Sequence, residues 1–143
     1  CKKVAPYYSS VGSHIRHVLD FYNCIFIGLA NNYVDLTSRA RDQRIENDCT
    51  CAIKEVEVVA SKLKSLSDAN LNSLITVADD LGNGPVALQY TLGALLSQAN
   101  SHTIHHYAIV AYILDQLDVN IKDENFGYNP TTPKKVVKHT KAS

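Results

Sequence analysis

The sequence predicts an all-α fold, a helical bundle that forms one domain. Three long segments, at about residues 11–32, 42–66 and 92–117, carry apolar residues at the spacing of one helix face. Polar stretches or stretches with Gly and Pro separate them. Each helix has to bury its apolar face, and packing these faces together is the simplest solution for a chain of 143 residues.

The first predicted helix spans residues 11–32. Ser9 or Ser10 offers a side-chain oxygen to cap its first turn, and Asn31 and Asn32 suit its C-terminal end. Its apolar face consists of Val11, Ile15, Val18, Leu19, Tyr22, Phe26 and Leu29.

The second predicted helix spans residues 42–66 and follows a polar connection. Its charged residues fall on the faces opposite an apolar stripe, which is typical of a bundle helix. The stripe consists of Ile45, Cys49, Ala52, Val56, Val59, Ala60, Leu63 and Leu66.

The connection over residues 67–90 is the least regular part of the chain. Residues 67–70 predict a turn, and residues 74–77 predict either a short strand or a helical turn. The Gly-Asn-Gly-Pro run at 82–85 interrupts the chain, and the alternation over 86–90 predicts a brief extended piece.

The third predicted helix spans residues 92–117, with Thr91 as its cap. We expect residues 118–133 to lie over the bundle and to complete a domain of residues 1–133. The basic residues of 134–143 predict a mobile tail.

The composition argues against several classes of partner. The formal net charge is zero, which does not favour binding to nucleic acid or to an anionic membrane surface. No apolar run reaches the roughly 20 residues of a membrane span, and no secretory signal opens the chain. The spacing of the four cysteines does not indicate a disulfide framework, so we expect a cytoplasmic protein. The cysteines are Cys1, Cys24, Cys49 and Cys51, and we expect them to act as small apolar residues.

Histidines are the main functional clue. His102 and His106 stand four residues apart within the apolar stretch of the third helix, so one helix face presents both imidazoles. Together with a histidine of the first helix, they predict an open three-nitrogen metal site. Helix periodicity alone favours His14 as the third ligand, because His14 lies at the edge of the apolar arc and His17 lies further off it. The alternative is a pair of core histidines that bind backbone or hydroxyl groups, with His14 and His17 solvated.

Two runs of sequence resemble the histidine motifs of DinB-like (DinB/YfiT superfamily) proteins. Residues 10–20 resemble the start of the family's histidine-bearing second helix, and residues 101–108 resemble its histidine-rich last helix. The Thr-Leu-Gly run at 91–93 stands upstream of that helix as in family members, although Tyr-Ala-Ile follows the histidines where many members have Arg-Gly-Gln. The resemblance covers roughly residues 9–133.

The resemblance implies a DinB-like four-helix bundle, up-down-down-up, whose first helix would precede Cys1. It implies a divalent metal ion, zinc or nickel, held by His17, His102 and His106. It further implies a thiol S-transferase or a hydrolase that acts on a small molecule, such as a low-molecular-weight thiol, and that forms a homodimer. The alternative function is a non-catalytic, stress-associated helical bundle for binding or dimerisation, with a vestigial or structural metal site.

The sequence places no general base convincingly, so no catalytic residue is assigned and enzymatic activity stays open. Asp20 falls on the outer side of the first helix and is expected to be solvated. Tyr107 and His105 could donate hydrogen bonds to the metal ligands, although packing or surface roles are equally expected for them.

Overall fold

The computed structural model describes residues 2–6 and 8–133, so the predicted mobile tail at 134–143 lies outside the described residues. These residues form four helices and a three-stranded mixed sheet, an α/β fold. The prediction of an all-α four-helix bundle is therefore wrong. In chain order the elements are α1 (Val11–Leu29), β1 (Tyr33–Asp35), α2 (Gln43–Asn47), α3 (Cys49–Ser65), β2 (Leu74–Asp80), β3 (Pro85–Thr91) and α4 (Leu92–Gln116).

Strand β2 lies at the centre of the sheet. It pairs in parallel with β1, with Val34 opposite Val77, and antiparallel with β3. Two neighbouring parallel strands require a crossover connection, which α2 and α3 provide here. In the turn from β2 to β3, the Asp80 carboxylate accepts hydrogen bonds from the backbone N–H groups of Gly82 and Gly84.

The pairing of β1 with β2 was missed because it is not local in the sequence, whereas β2 and β3 are joined by a short turn. Strand β1 has only three residues, too few to show an alternating pattern, and its partner follows about 40 residues later. The extended piece predicted at 86–90 is confirmed as β3, and the segment 74–77, for which strand or turn stayed open, belongs to β2.

Side-chain caps explain where helices α1 and α4 begin. Ser10 is confirmed as the cap of α1: its Oγ accepts from the backbone N–H of Ser13, whose hydroxyl oxygen accepts from the backbone N–H of Ser10. Thr91 caps α4 by accepting from the backbone N–H of Ala94 at 3.1 Å. Helix α1 ends at Leu29, three residues before its predicted end.

The predicted second helix is broken at Asp48, which ends α2 and caps α3 with extended backbone angles. The Asp48 carboxylate accepts from the backbone N–H groups of Thr50 and Cys51, a geometry that favours a new helix start over continuation of α2. Most of the predicted stripe is not buried: Val59 is buried, whereas Cys49 and Val56 are exposed.

The core lies between α1, α4 and one face of the sheet. Its members are Phe21, Cys24, Ile25, Val34, Leu36, Ile75, Val77, Leu92, Leu95 and Ala99. Helix α1 also packs against α2 and α3, and these contacts fix which face of α1 points towards α4. Among the described residues, no helix combines the length and the apolar character needed to cross a membrane.

Candidate metal centre

Two packed helices bring four histidines together. His14 and His17 lie on α1, His102 and His106 lie on α4, and all four side chains are half-buried. On α4 the spacing of four residues places both rings on the face that meets α1. His105 falls between them on the helix and is exposed.

His17, His102 and His106 form a compact group. One ligand nitrogen from each of the three lies within 4.8 Å of the other two. The ring centroids are 4.9 Å apart for His17 and His102, 4.6 Å for His17 and His106, and 4.5 Å for His102 and His106. Two of the nitrogens, Nε2 of His17 and Nε2 of His102, are 2.9 Å apart.

The donor set fits a divalent metal ion. Nitrogens bound to one zinc ion at about 2.0–2.1 Å lie about 3.3 Å apart at a tetrahedral angle and about 2.9 Å apart at a right angle. The separation of 2.9 Å between Nε2 of His17 and Nε2 of His102 falls at the short end of this range. The third nitrogen lies within 4.8 Å of the others, so binding of one ion by all three requires it to approach them by at most about 1.5 Å. The three histidines could therefore hold a metal ion.

The electrostatic surroundings keep these rings neutral. Burial lowers the pKa of His17 to about 4, and the charge of Arg39 lowers it further than any other neighbouring group does. Burial lowers the pKa of His106 to about 3, with smaller contributions from His102 and His17. Burial also lowers the pKa values of His14 and His102, and the Asp79 carboxylate opposes the effect at His102. At neutral pH each ring therefore has an unprotonated nitrogen that can bind a metal.

A short chain of hydrogen bonds orients His106. Its Nδ1 lies 2.8 Å from Nδ1 of His14, whose Nε2 lies 2.8 Å from the hydroxyl of Ser9. When His14 donates from Nε2 to Ser9, its Nδ1 accepts from Nδ1–H of His106. This tautomer leaves Nε2 of His106 unprotonated, as a metal ligand requires.

His17 has a different neighbour. Nη1 of Arg39 lies 3.4 Å from Nδ1 of His17, and a guanidinium can only donate. Nδ1 of neutral His17 is then the acceptor, so Nε2 carries the proton and donates to Nε2 of His102. Ligation of a metal through Nε2 of His17 requires the ring proton to move to Nδ1, which ends the hydrogen bond from Arg39.

The structure thus brings together the three residues that the resemblance implied as metal ligands, His17, His102 and His106. His14 belongs to the same cluster but contacts His106 from the side of Ser9. The alternative of core histidines bound to backbone or hydroxyl groups does not describe His102 and His106, because their hydrogen-bond partners are other imidazoles. That these residues bind a metal stays a prediction.

The prediction of a solvated Asp20 is wrong. Only 2% of this residue is exposed, and its carboxylate pairs with Arg16 at 2.9 Å while Arg16 also pairs with Glu46 at 3.0 Å. Because α1 packs against α2, the side of α1 expected to face solvent is covered. Asp20 therefore joins α1 to the following segment and is not available as a base.

The other residues singled out in the sequence lie outside the group of His17, His102 and His106. The Tyr107 ring stacks on Phe126, with centroids 4.8 Å apart, and burial raises the pKa of its hydroxyl. His105 makes an edge contact with the ring of His106 at 5.3 Å. Cys24 is buried in the core as a small apolar residue, whereas Cys49 is exposed and does not lie on a core stripe.

Sequence reasoning missed the roles of Arg39 and Ser9. Both residues lie outside the helices, in segments without periodicity, so no pattern relates them to the histidines. In the sequence, Ser9 stands five residues before His14, and this short separation was the one indication that the two side chains are in contact.

Searches against protein-family models, curated proteins and solved structures found no match for this chain. Its function therefore has to be inferred from its own side chains.

Proposed function

We propose that this protein is a divalent-metal-dependent enzyme that acts on a small molecule, as a thiol S-transferase or a hydrolase. The observation that carries this proposal is the group of three neutral imidazoles within 4.8 Å of one another. Three histidines leave coordination positions for a reactant, which distinguishes catalytic sites from closed structural sites. Imidazole donors favour zinc or nickel over calcium or magnesium.

The chain's residues have distinct roles in this proposal. His17, His102 and His106 hold the ion, and His14 with Ser9 fixes the ring orientation of His106. When bound, the ion would lower the pKa of a coordinated water to about 7 or stabilise a thiolate. The three histidines are half-buried, so part of their surface is in contact with solvent.

The resemblance to DinB-like proteins supports the reaction class through the two histidine motifs alone. Strands β1, β2 and β3 depart from the all-helical fold of that family. Cysteines 24, 49 and 51 are free, which fits a reducing cytoplasm as the compartment we propose.

A second candidate function is a non-catalytic module for binding or homodimerisation, with a structural metal site. The observation that favours it is the apolar surface of α3, where Ile53 is 59% exposed, Val56 45% and Val58 43%. In this case metal binding would stabilise the fold without turnover of any substrate.

Metal analysis of protein purified without a histidine tag tests the proposal. We expect one equivalent of zinc or nickel in the wild type and in the matched variant His105→Ala, and none in His102→Ala/His106→Ala. Thiol transfer to a small electrophile, or ester hydrolysis, should stop with a chelator and return with the metal. Metal-free protein whose thermal stability does not change on metal addition would contradict the proposal, and a metal-loaded protein without turnover supports the second candidate.

A further inference from the structure

Arg39 is held at the edge of the three-histidine group. It lies between β1 and α2, where its Nε donates to the backbone carbonyl of Leu36 at 2.9 Å. This bond anchors the base of the guanidinium, and Nη1 lies 3.4 Å from Nδ1 of His17. The position of this positive charge is therefore fixed relative to the metal ligands.

No carboxylate of the described residues pairs with this guanidinium. The three ion pairs within residues 2–6 and 8–133 join Arg16 to Asp20 and to Glu46, and Arg44 to Asp42. The histidines beside Arg39 are neutral and do not balance its charge. A half-buried arginine is normally compensated by an acidic partner in direct contact, and although the Asp79 carboxylate lies near His102, it makes no ion pair with Arg39, whose guanidinium is therefore available to bind an anion.

Metal binding would make the guanidinium more available. Ligation through Nε2 of His17 places the ring proton on Nδ1, so that nitrogen no longer accepts from Arg39. The Nη groups then present several N–H donors beside the ion, in the planar arrangement that binds an oxyanion with two parallel hydrogen bonds.

We propose that Arg39 binds an oxyanionic group of the substrate, a carboxylate, sulfonate or phosphate, while another part of the same molecule meets the histidine group. This inference rests on the proposed function and adds the charge of the substrate. A neutral or cationic analogue of the same size lacks the hydrogen-bonded partner for Arg39 and binds more weakly.

The test uses Co²⁺-substituted protein and three thiols that share the HS–CH2–CH2 group and end in an anionic, a neutral or a cationic group: 2-mercaptoethanesulfonate, 2-mercaptoethanol and thiocholine, whose quaternary ammonium group cannot bind the metal. Because a sulfonate is a poor metal ligand, any affinity that it adds comes from contacts with the protein and not with Co²⁺. Titration followed by the visible absorption of Co²⁺ gives a dissociation constant for each thiol. In the wild type we expect the anionic thiol to bind about tenfold more tightly than the neutral one, and the cationic thiocholine to bind most weakly.

Arg39→Gln should remove this tenfold preference, so that the anionic and the neutral thiol bind this variant with similar affinity. Arg39→Lys should retain part of it, because the charge remains without the planar donors. The matched control is Arg44→Gln, since Arg44 is exposed and paired with Asp42, and it should keep the full preference. Thermal melts of each variant establish that it folds.

The outcomes separate the two proposals. Equal affinity of the wild type for all three thiols, or a preference that survives in Arg39→Gln, overturns the role of Arg39 and leaves the metal site standing. A protein that binds no Co²⁺ overturns the proposed function and this inference with it.

Discussion

At the scale of single residues, hydrogen bonds decide which ring nitrogen of each histidine carries a proton. The contacts of His14 to Ser9 and to His106, both at 2.8 Å, prepare His106 for a metal, whereas the contact from Arg39 to His17 opposes ligation of that ring. His106 and His17 have the same side chain but therefore differ in their readiness to bind an ion.

Replacing His14 with Ala should weaken zinc binding by about 10- to 100-fold, because partners that orient a ligating histidine typically contribute this much. The dissociation constant measured by competition with a chromophoric chelator checks this expectation. His105→Ala removes a ring from the same helix region that makes no hydrogen bond in the cluster, and should leave the affinity unchanged. Equal affinities of His14→Ala and wild type would exclude the orienting role.

At the scale of elements, the close approach of α1 to β1 determines how α1 faces α4. Gly28 near the end of α1 lies directly against the backbone of β1. A Cβ atom at this position would meet the carbonyl oxygen of Tyr33 and lie 2.6 Å from Cα of Val34. Backbone atoms cannot rotate away as a side chain can, so only glycine fits.

Gly28→Ala should therefore lower the free energy of unfolding by at least about 2 kcal/mol, even after the gain of about 1 kcal/mol in helix propensity. Urea denaturation measures this difference. Gly93→Ala is the comparison: its Cβ would approach the carbonyl oxygen of Leu71 to 3.2 Å, a contact that a small shift relieves. We expect its effect to stay within about 1 kcal/mol, and a similar small effect for Gly28→Ala would contradict the packing argument.

At the scale of the whole molecule, the buried neutral histidines link stability to pH. In the unfolded chain these histidines bind protons as the pH falls below 6.5, whereas the folded protein holds the pKa of His17 at about 4 and that of His106 at about 3. The unfolded state then binds more protons, so the free energy of unfolding falls as the pH falls from 6.5 to about 4.

Metal-free protein should accordingly melt at a lower temperature at about pH 4.5 than at about pH 7. The double variant His17→Gln/His106→Gln should show a shallower decrease, because the two most strongly shifted histidines are absent. His105→Gln should keep the decrease of the wild type. Circular dichroism melts across this pH range measure the effect, and an equally steep decrease in the double variant would argue against these two rings as its source.

The sequence predicted what depends on local pattern. Helical periodicity located α1 and α4, and the cap residues Ser10 and Thr91 fixed their first turns, because caps act within one helical turn. The spacing of His102 and His106 predicted that both lie on one face of α4, because residues four apart are neighbours on a helix surface.

Contacts between distant segments were decided by the tertiary structure. Strand β1 exists because Tyr33–Asp35 pairs with β2, about 40 residues later, and no feature of three residues alone specifies that pairing. Packing of α1 against α4 brings His17 to the α4 pair and His14 to the side of Ser9, whereas helix periodicity alone favoured His14 as the third member of the group. Arg39 lies in the connection between β1 and α2, and the position of β1 in the sheet places this connection beside His17. Short-range hydrogen bonds and periodicity can be inferred from neighbouring residues, whereas the partner of each buried face depends on the packing of the whole chain.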